Sequence, residues 1–288
     1  MRIDGKQIAQ EILERLRSEV AALSTKGILP KLAVILVGDN PASRSYIRQK
    51  IKTAHAINAS VDLIEFPETV ASHVLATKLS ALNANGAIHG IIIQRPLPRS
   101  ARVEPDTLLS VSKRKDVDGY IAGSPYMVPT AKAVLTILTY AHATISNPHN
   151  VGENFLPWLR HKRVVVVGRG QTAGKPVALM LAKYKCATSI VHSQSVDPEL
   201  LLKKADIIIS CVGKERVITR DTIQKGVILI SVGLWRDSEG KLRGDYDDEE
   251  IHNIASHYTP TPGGVGPLNV ASLMENLVEA AKRQTVKT

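Results

Sequence analysis

The apolar positions of the chain fall into two series of strand-length runs separated by helix-length stretches. In the first series, "LAVILV" (32–37), "VDLIEF" (61–66) and "HGIIIQ" (89–94) have the length and branched content of strands. The stretches 43–58 and 73–83 between them repeat at the helical period. The second series comprises "RVVVVG" (163–168), "ATSIVH" (187–192), "ADIIIS" (205–210) and "GVILISVG" (226–233), again with helical segments between the runs. Alternation of this kind is the βαβ signature of a parallel sheet. The four later runs are continuous and β-branched, which predicts strands covered on both faces. The opening stretch, "MRIDGKQIAQEILERLRSEV", is amphipathic and carries acidic residues, so it reads as a first helix and not as a signal or transit peptide. "TAKAVLTILTYA" (130–141) predicts a further helix, the polar stretch 144–154 a domain junction, and 270–282 a last amphipathic helix packed back on the first domain. The expected architecture is α/β with two domains. One spans 1–143 together with 268–288, and the other is a Rossmann-like parallel-sheet domain over 144–267.

Composition narrows the function classes. Only 4% of the 288 residues are aromatic, so Ala, Ile, Leu and Val must build the core. No apolar run approaches the roughly 20 residues that a membrane span needs, so no membrane partner is expected. Cys186 and Cys211 each border an apolar run, which predicts buried thiols in a reducing cytoplasm, and no metal-ligand spacing is present. Net charge is +10, from 37 Lys and Arg against 27 Asp and Glu. Nucleic-acid binding, a generic solvated surface and attraction of small anionic ligands are the three readings. The longest basic cluster is "KRK" (113–115) and no aromatic residue interleaves with it, so no nucleic-acid partner is expected.

The most informative local stretch is "VVVVGRGQTAGKPVALML" (164–181). A buried strand ends at Gly168, Gly170 follows, and Gly174 opens a helix with Pro176 in its first turn. Glycines let a backbone turn tightly and approach a pyrophosphate, and the helix N-terminus presents N–H groups and the positive end of a dipole. The spacing is one residue longer than the common dinucleotide fingerprint, and an ordinary Gly-rich strand-to-helix turn is the alternative. The next strand ends "VHSQS" (191–195), with no acid before Asp197 to hold ribose hydroxyls. Arg169 sits in the turn itself. A cation with hydroxyl donors suits a ribose 2′-phosphate, which favours NADP over NAD.

A second candidate lies in "SRSYIRQKIKTA" (43–54). At about 100° per residue, Ile47, Ile51 and Ala54 form one stripe. Lys50 lies only about 50° from its centre, and Tyr46 sits one turn below on the same side. Lys50 either snorkels along the apolar surface or serves a site. Gln94 is a strand-end residue before a Pro-rich turn, and Asp118 is a turn former in "DVDG". Together with Tyr46 and Lys50 they fall at the C-terminal ends of three successive strand segments, where α/β sheets bind ligands.

With these pieces in order, the chain resembles the methylenetetrahydrofolate dehydrogenase/cyclohydrolase family. "PASRSYIRQK" (41–50), "GIIIQRPLP" (90–98), "KDVDGY" (115–120) and the pair "GRGQTAGKP" (168–176) with "TPTPGGVGPLNVASLMEN" (259–276) carry the resemblance over nearly the whole length. It implies a cytoplasmic or organellar homodimer that in most members uses NADP, with a tetrahydrofolate derivative as substrate; a cytoplasmic location is expected here. It implies that Lys50 is the catalytic lysine, that Tyr46 stacks on the folate, that Gln94 hydrogen-bonds the lysine and that Asp118 reads the pterin. Pro262, Gly263, Gly264, Val265 and Gly266 would form a loop at the cleft between folate and nicotinamide. Gly168, Arg169, Gly170 and Gly174 would form the phosphate turn, Ser193 would touch the 2′-phosphate, and Leu234 would lie by the nicotinamide. The expected function is oxidation of 5,10-methylenetetrahydrofolate by NADP and hydrolysis of the methenyl product to 10-formyltetrahydrofolate. A dehydrogenase with a decayed hydrolase, and a non-catalytic dinucleotide-binding sensor, are the alternatives. Departures from the family pattern are Arg95 in place of an apolar residue, a shortened segment between Asp118 and Thr130, "MVPTA" (127–131), Gly170 for a serine and Ser231 for an aspartate.

Overall fold

The structure, a computed structural model, describes residues 1–98, 100–101, 103–145 and 155–285. In chain order the elements are α1 (Gly5–Ser24), β1 (Lys31–Val37), α2 (Pro41–Ala56), β2 (Ser60–Phe66), α3 (Ser72–Ala84), β3 (Gly90–Ile93), α4 (Pro105–Leu108) and α5 (Pro129–Ile145). There follow α6 (Phe155–Arg160), β4 (Val164–Val167), α7 (Gly174–Lys183), β5 (Thr188–Val191), α8 (Pro198–Lys203), β6 (Ile207–Ser210) and β7 (Ile228–Ser231). The chain closes with β8 (Trp235–Arg236), β9 (Leu242–Arg243), α9 (Asp248–Ile251), β10 (His257–Tyr258) and α10 (Val265–Thr285). Residues 146–154 of the expected junction lie outside the described residues.

Two compact units emerge. One holds Gln10–Pro129 with Val270–Thr288, and the other holds Met1–Ala9 with Thr130–Asn269. This division runs differently from 1–143, 144–267 and 268–288. The N-terminal residues join the second sheet because Ile3 N–H donates to Tyr258 O at 2.8 Å and Tyr258 N–H to Met1 O at 3.0 Å. The Thr144 hydroxyl likewise meets His257 Nε2 at 3.0 Å, which ties the end of α5 to that unit.

The first unit is built on a three-stranded parallel sheet of order β2-β1-β3. Successive side chains of β1 face opposite ways, and the sequence exploits it. Leu32, Val34 and Leu36 pack with Leu16 and Val20 of α1 and with Leu273, Met274 and Leu277 of α10. Ala33, Ile35 and Val37 pack on Leu75, Leu79 and Leu82 of α3. The terminal helix therefore does cover this sheet, and it starts five residues before the sequence pattern placed it. α2 begins where Pro41 occupies the first turn and the Asn40 side chain accepts from Ser43 N–H. Its buried face holds Ser43, Ile47, Lys50, Thr53 and Ala54. Ile51 is only partly buried, so Lys50 takes the inward position that the apolar stripe assigned to Ile51.

The second unit holds a five-stranded parallel sheet of order β10-β7-β6-β4-β5. β4, β6 and β7 are buried throughout. β5 departs from the expected two-sided cover: it is an edge strand, and Ile190 is 46% exposed. β10 and the antiparallel pair β8 and β9 were not signalled by the pattern, because two residues are too few to show a period. Cys186, between α7 and β5, and Cys211, directly after β6, are free thiols, half-buried and not fully buried as expected. Among the described residues, no helix is long and apolar enough to cross a membrane.

Candidate active site

At the C-terminal edge of the first sheet, the backbone ladder continues one residue past β3. Gln94 N–H donates to Ile35 O at 2.8 Å, which fixes where the glutamine side chain starts. α2 returns from the end of β1 and lays Lys50 beside it. Lys50 is 5% and Gln94 7% exposed, and Lys50 Nζ donates to Gln94 Oε1 at 2.9 Å. Gln94 Nε2 in turn donates to Arg95 O at 2.7 Å, which sets the amide with its oxygen toward the lysine. Lys50 Nζ stands 5.1 Å from the centroid of the Tyr46 ring. The ammonium is thus held inside by a polar partner and a ring face, and does not snorkel to solvent.

Asp118 reaches this group from a turn that two other residues of "KDVDGY" secure. Lys115 is buried, and its Nζ donates to Leu82 O at 2.9 Å and Asn85 O at 2.6 Å, closing the end of α3. Its placement removes one charge from the surface cluster "KRK". The buried Asp116 carboxylate accepts from the N–H groups of Gly119, Tyr120 and Ile121 at 3.1, 3.3 and 2.8 Å. Gly119 has φ +72°, and a Cβ there would lie 2.7 Å from Tyr126 O, so only glycine fits this turn. Neither Lys115 nor Asp116 was singled out in the sequence, where each reads as one more surface charge.

Burial and charge work against each other here. Burial lowers the proton affinity of Lys50, and the Asp118 charge raises it again. Burial raises the proton affinity of Asp118, and Lys50 and then Arg95 oppose that. The Arg95 guanidinium carbon lies 5.0 Å from the centroid of the Tyr120 ring, whose hydroxyl is pushed up by burial and by Asp118. Asp116 is pushed up to about 6, chiefly by burial. Tyr46, Lys50, Gln94 and Asp118 are therefore one electrostatic group on one unit.

The other predicted residues lie on the second unit. β4 ends at Val167, Gly168 follows with φ +99°, and α7 starts at Gly174. A Cβ on Gly174 would fall on the Gly168 carbonyl, so the turn closes only with glycine. No side chain caps α7. Gly170 is exposed with nothing within 4 Å of a Cβ. Arg169 Nη2 donates to Gln194 Oε1 at 3.1 Å, joining the turn to the residues after β5, among which Ser193 is exposed. Leu234 is 46% exposed. Pro262, Gly263, Gly264 and Val265 belong to this unit, on the approach to α10, and not to the unit of Lys50. The glycine turn, the uncapped helix start and the exposed cation suit a dinucleotide phosphate.

Sequence reasoning missed Asp245. Its fully buried carboxylate accepts from Ser210 Oγ at 2.7 Å and from the N–H groups of Val212, Gly213 and Lys214 at 3.0, 2.7 and 3.0 Å. It shapes the loop after β6, and Ser231 Oγ accepts from its N–H at 3.0 Å. An acid in the charged stretch "RGDYDD" carries no periodic signal that would mark it as buried.

Comparison with known proteins also divides the chain in two, but at a single point in the sequence, so that α10 falls in the second match. Residues 3–118 match the family described as "Tetrahydrofolate dehydrogenase/cyclohydrolase, catalytic domain", and residues 129–285 match its "NAD(P)-binding domain". The chain is 38% identical over 293 residues to the "Bifunctional protein FolD" of Lactococcus lactis subsp. cremoris, covering 98% of this chain and 97% of that protein. It is 39% identical over 281 residues to the protein of the same name from Exiguobacterium sibiricum, covering 97% and 99%. Among solved structures, it is similar to the bifunctional enzyme FolD from Campylobacter jejuni, with TM-score 0.88, 33% identity and coverage of 98% and 99%. It is also similar to the Trypanosoma brucei dehydrogenase-cyclohydrolase complexed with NADP cofactor and inhibitor, with TM-score 0.88, 30% identity and coverage of 100% and 99%.

Proposed function

The chain belongs to the tetrahydrofolate dehydrogenase/cyclohydrolase family, and we propose that it is a bifunctional one-carbon folate enzyme. It oxidises 5,10-methylenetetrahydrofolate with NADP and hydrolyses the methenyl cation to 10-formyltetrahydrofolate. The observation that carries this reading is the buried hydrogen bond from Lys50 Nζ to Gln94 Oε1 beside Tyr46 and Asp118.

In the oxidation, NADP supplies a hydride acceptor. The folate nitrogen next to the methylene carbon provides the electron pair that stabilises the cation as the hydride leaves. The protein's part is orientation: Tyr46 gives a ring face for the folate, and Asp118 gives two acceptor oxygens for the pterin N–H groups. In the hydrolysis, neutral Lys50 takes a proton from the attacking water as the new C–O bond forms. The protonated lysine then gives a proton to the ring nitrogen as its bond to that carbon breaks. The carbinol hydroxyl releases its own proton as the formyl carbonyl forms, so one proton leaves overall. Burial favours the neutral amine that this needs, and Gln94 keeps Nζ in place.

For the cofactor, Gly168, Gly170 and Gly174 would receive the pyrophosphate, Arg169 and Ser193 the 2′-phosphate, and Leu234 would lie by the nicotinamide. Pro262, Gly263, Gly264 and Val265 would contact folate. Tyr46, Lys50, Gln94 and Asp118 then lie within 1–143, and the cofactor-binding residues lie within 144–267. We take the enzyme to be a cytoplasmic homodimer. The test is a titration with methylenetetrahydrofolate and NADP, followed by ultraviolet absorbance of the methenyl product and by its decay to formyl product. The proposal expects both phases. Oxidation without decay leaves a single-function dehydrogenase, and cofactor binding without either phase leaves a sensor.

A further inference from the structure

Arg95 is the most unusual residue of the site. It follows Gln94 directly and puts a second cation where the motif otherwise runs apolar into "PLP". It is half-buried, its guanidinium lies over the Tyr120 ring with Cζ 5.0 Å from the centroid, and its carbonyl holds the Gln94 amide at 2.7 Å. The ring beneath the guanidinium belongs to the turn that carries Asp118, two residues before it, so the contact brings the charge to that turn, and the Asp118 carboxyl has its proton affinity lowered by it.

The site has a charge problem that this arrangement solves. A buried carboxylate needs a cation, and with Lys50 alone that cation must remain protonated. Lys50 could then leave its ammonium form only by stranding Asp118. Arginine keeps its charge at every working pH, so it can stay with the carboxylate whatever Lys50 does. We propose that Arg95 is a positioning residue of the hydrolytic step: laid on Tyr120, it is the permanent counter-charge of Asp118 and so releases Lys50 to exchange its proton. The proposal rests on the folate reading above.

Among the described residues, the groups around the lysine and its carboxylate come from α2, the end of β3 and the turn at 116–120. Lys50 faces the Tyr46 ring on its own helix, Gln94 at the end of β3 and Asp118 on the turn. Around Asp118 stand Arg95, Tyr120 and Asp116. Tyr120 stays neutral because burial and Asp118 both raise its proton affinity. Removing the guanidinium therefore leaves Lys50 as the cation left to balance Asp118, and its ammonium form gains.

The experiment compares full-length wild type, Arg95→Leu and Arg95→Lys. Hydrolysis of methenyltetrahydrofolate is followed from pH 6 to 9 after subtraction of the uncatalysed rate, and oxidation is followed at neutral pH. In Arg95→Leu the acid limb of the hydrolysis profile should move up by about one pH unit, as expected for loss of one nearby charge. Its alkaline plateau should stay within about threefold of wild type, and oxidation should change no more than that. Arg95→Lys should keep the wild-type limb. Three results overturn the proposal: superimposable profiles for Arg95→Leu and wild type, an Arg95→Lys profile that follows Arg95→Leu, or equal losses of both activities at every pH. If wild type hydrolyses nothing, the bifunctional reading has failed and the role of Arg95 falls with it. If wild type hydrolyses and Lys50→Met does not, the bifunctional reading stands and the Arg95 variants decide.

Discussion

Two side chains at opposite ends of the proposed reaction give separate readouts. Asp118→Asn keeps the size but presents one acceptor oxygen where the carboxylate presents two. Both activities need the same pterin pose, so kcat/KM for both should fall together by about 10- to 100-fold. An unchanged folate response in steady-state kinetics would return Asp118 to the role of a turn residue. Arg169→Ala removes a cation whose one described side-chain partner is Gln194. NADP binding should weaken by roughly 1.5–3 kcal/mol while NAD changes little, because only NADP carries the 2′-phosphate. Equal losses for both cofactors in a binding titration contradict the assignment. At this scale the sequence showed which residues gather but not how. The helical angle placed Lys50 near the apolar stripe, yet that it is buried and bonded to Gln94 depends on a strand 44 residues away. Lys115, Asp116 and Asp245 were invisible because a buried ion looks like a surface ion until its backbone partners are known.

Among the elements, the strand-turn-helix from β4 to α7 makes the clearest test. A Cβ on Gly174 would fall on the Gly168 carbonyl, whereas a Cβ on Gly170 meets nothing within 4 Å. Gly174→Ala should lower both thermal stability and NADP affinity, and Gly170→Ala should leave stability unchanged while weakening NADP, whose pyrophosphate the proposed function assigns to that backbone. Thermal melts paired with cofactor titrations separate the two, and a Gly174→Ala variant as stable as wild type would contradict the geometry. On the first unit, Lys115→Met leaves Leu82 O without its lysine donor while Asn85 O keeps the Ile88 N–H, which should cost about 1–3 kcal/mol in urea unfolding with NADP affinity unchanged. The strands β1, β4, β6 and β7 were legible because buried parallel strands read as unbroken apolar runs. β5 carries the same kind of run at the sheet edge, since sequence does not say which strand has only one neighbour. α4, α6 and α9, with four to six residues each, are set by local turns and neighbours and leave no periodic trace.

For the whole molecule, acid titration links site to stability. Asp116 has its proton affinity raised from 3.8 to about 6 in the folded state. A raised carboxyl favours the folded state most while protonated, so this contribution is present below about pH 4 and is lost as pH rises through 6. Asp206, lowered by its hydrogen bond to Arg163, works the other way and loses its contribution as pH falls below 3.8. Asp116→Asn should therefore gain stability relative to wild type between pH 4.5 and 7, read as the difference in urea midpoints at each pH. A difference that stays constant contradicts the burial of that charge. The chain's net charge of +10 fits attraction of anionic cofactor and substrate, as the composition allowed. The central claim remains that one lysine serves hydrolysis and not oxidation. It is tested most directly by giving Lys50→Met methylenetetrahydrofolate and NADP, and recording methenyl absorbance and formyl product in one reaction. Methionine keeps the volume and cannot carry a proton, so hydrolysis should fall by about 10²-fold or more while oxidation proceeds and the methenyl species accumulates. Formyl product formed at the wild-type rate would contradict the account.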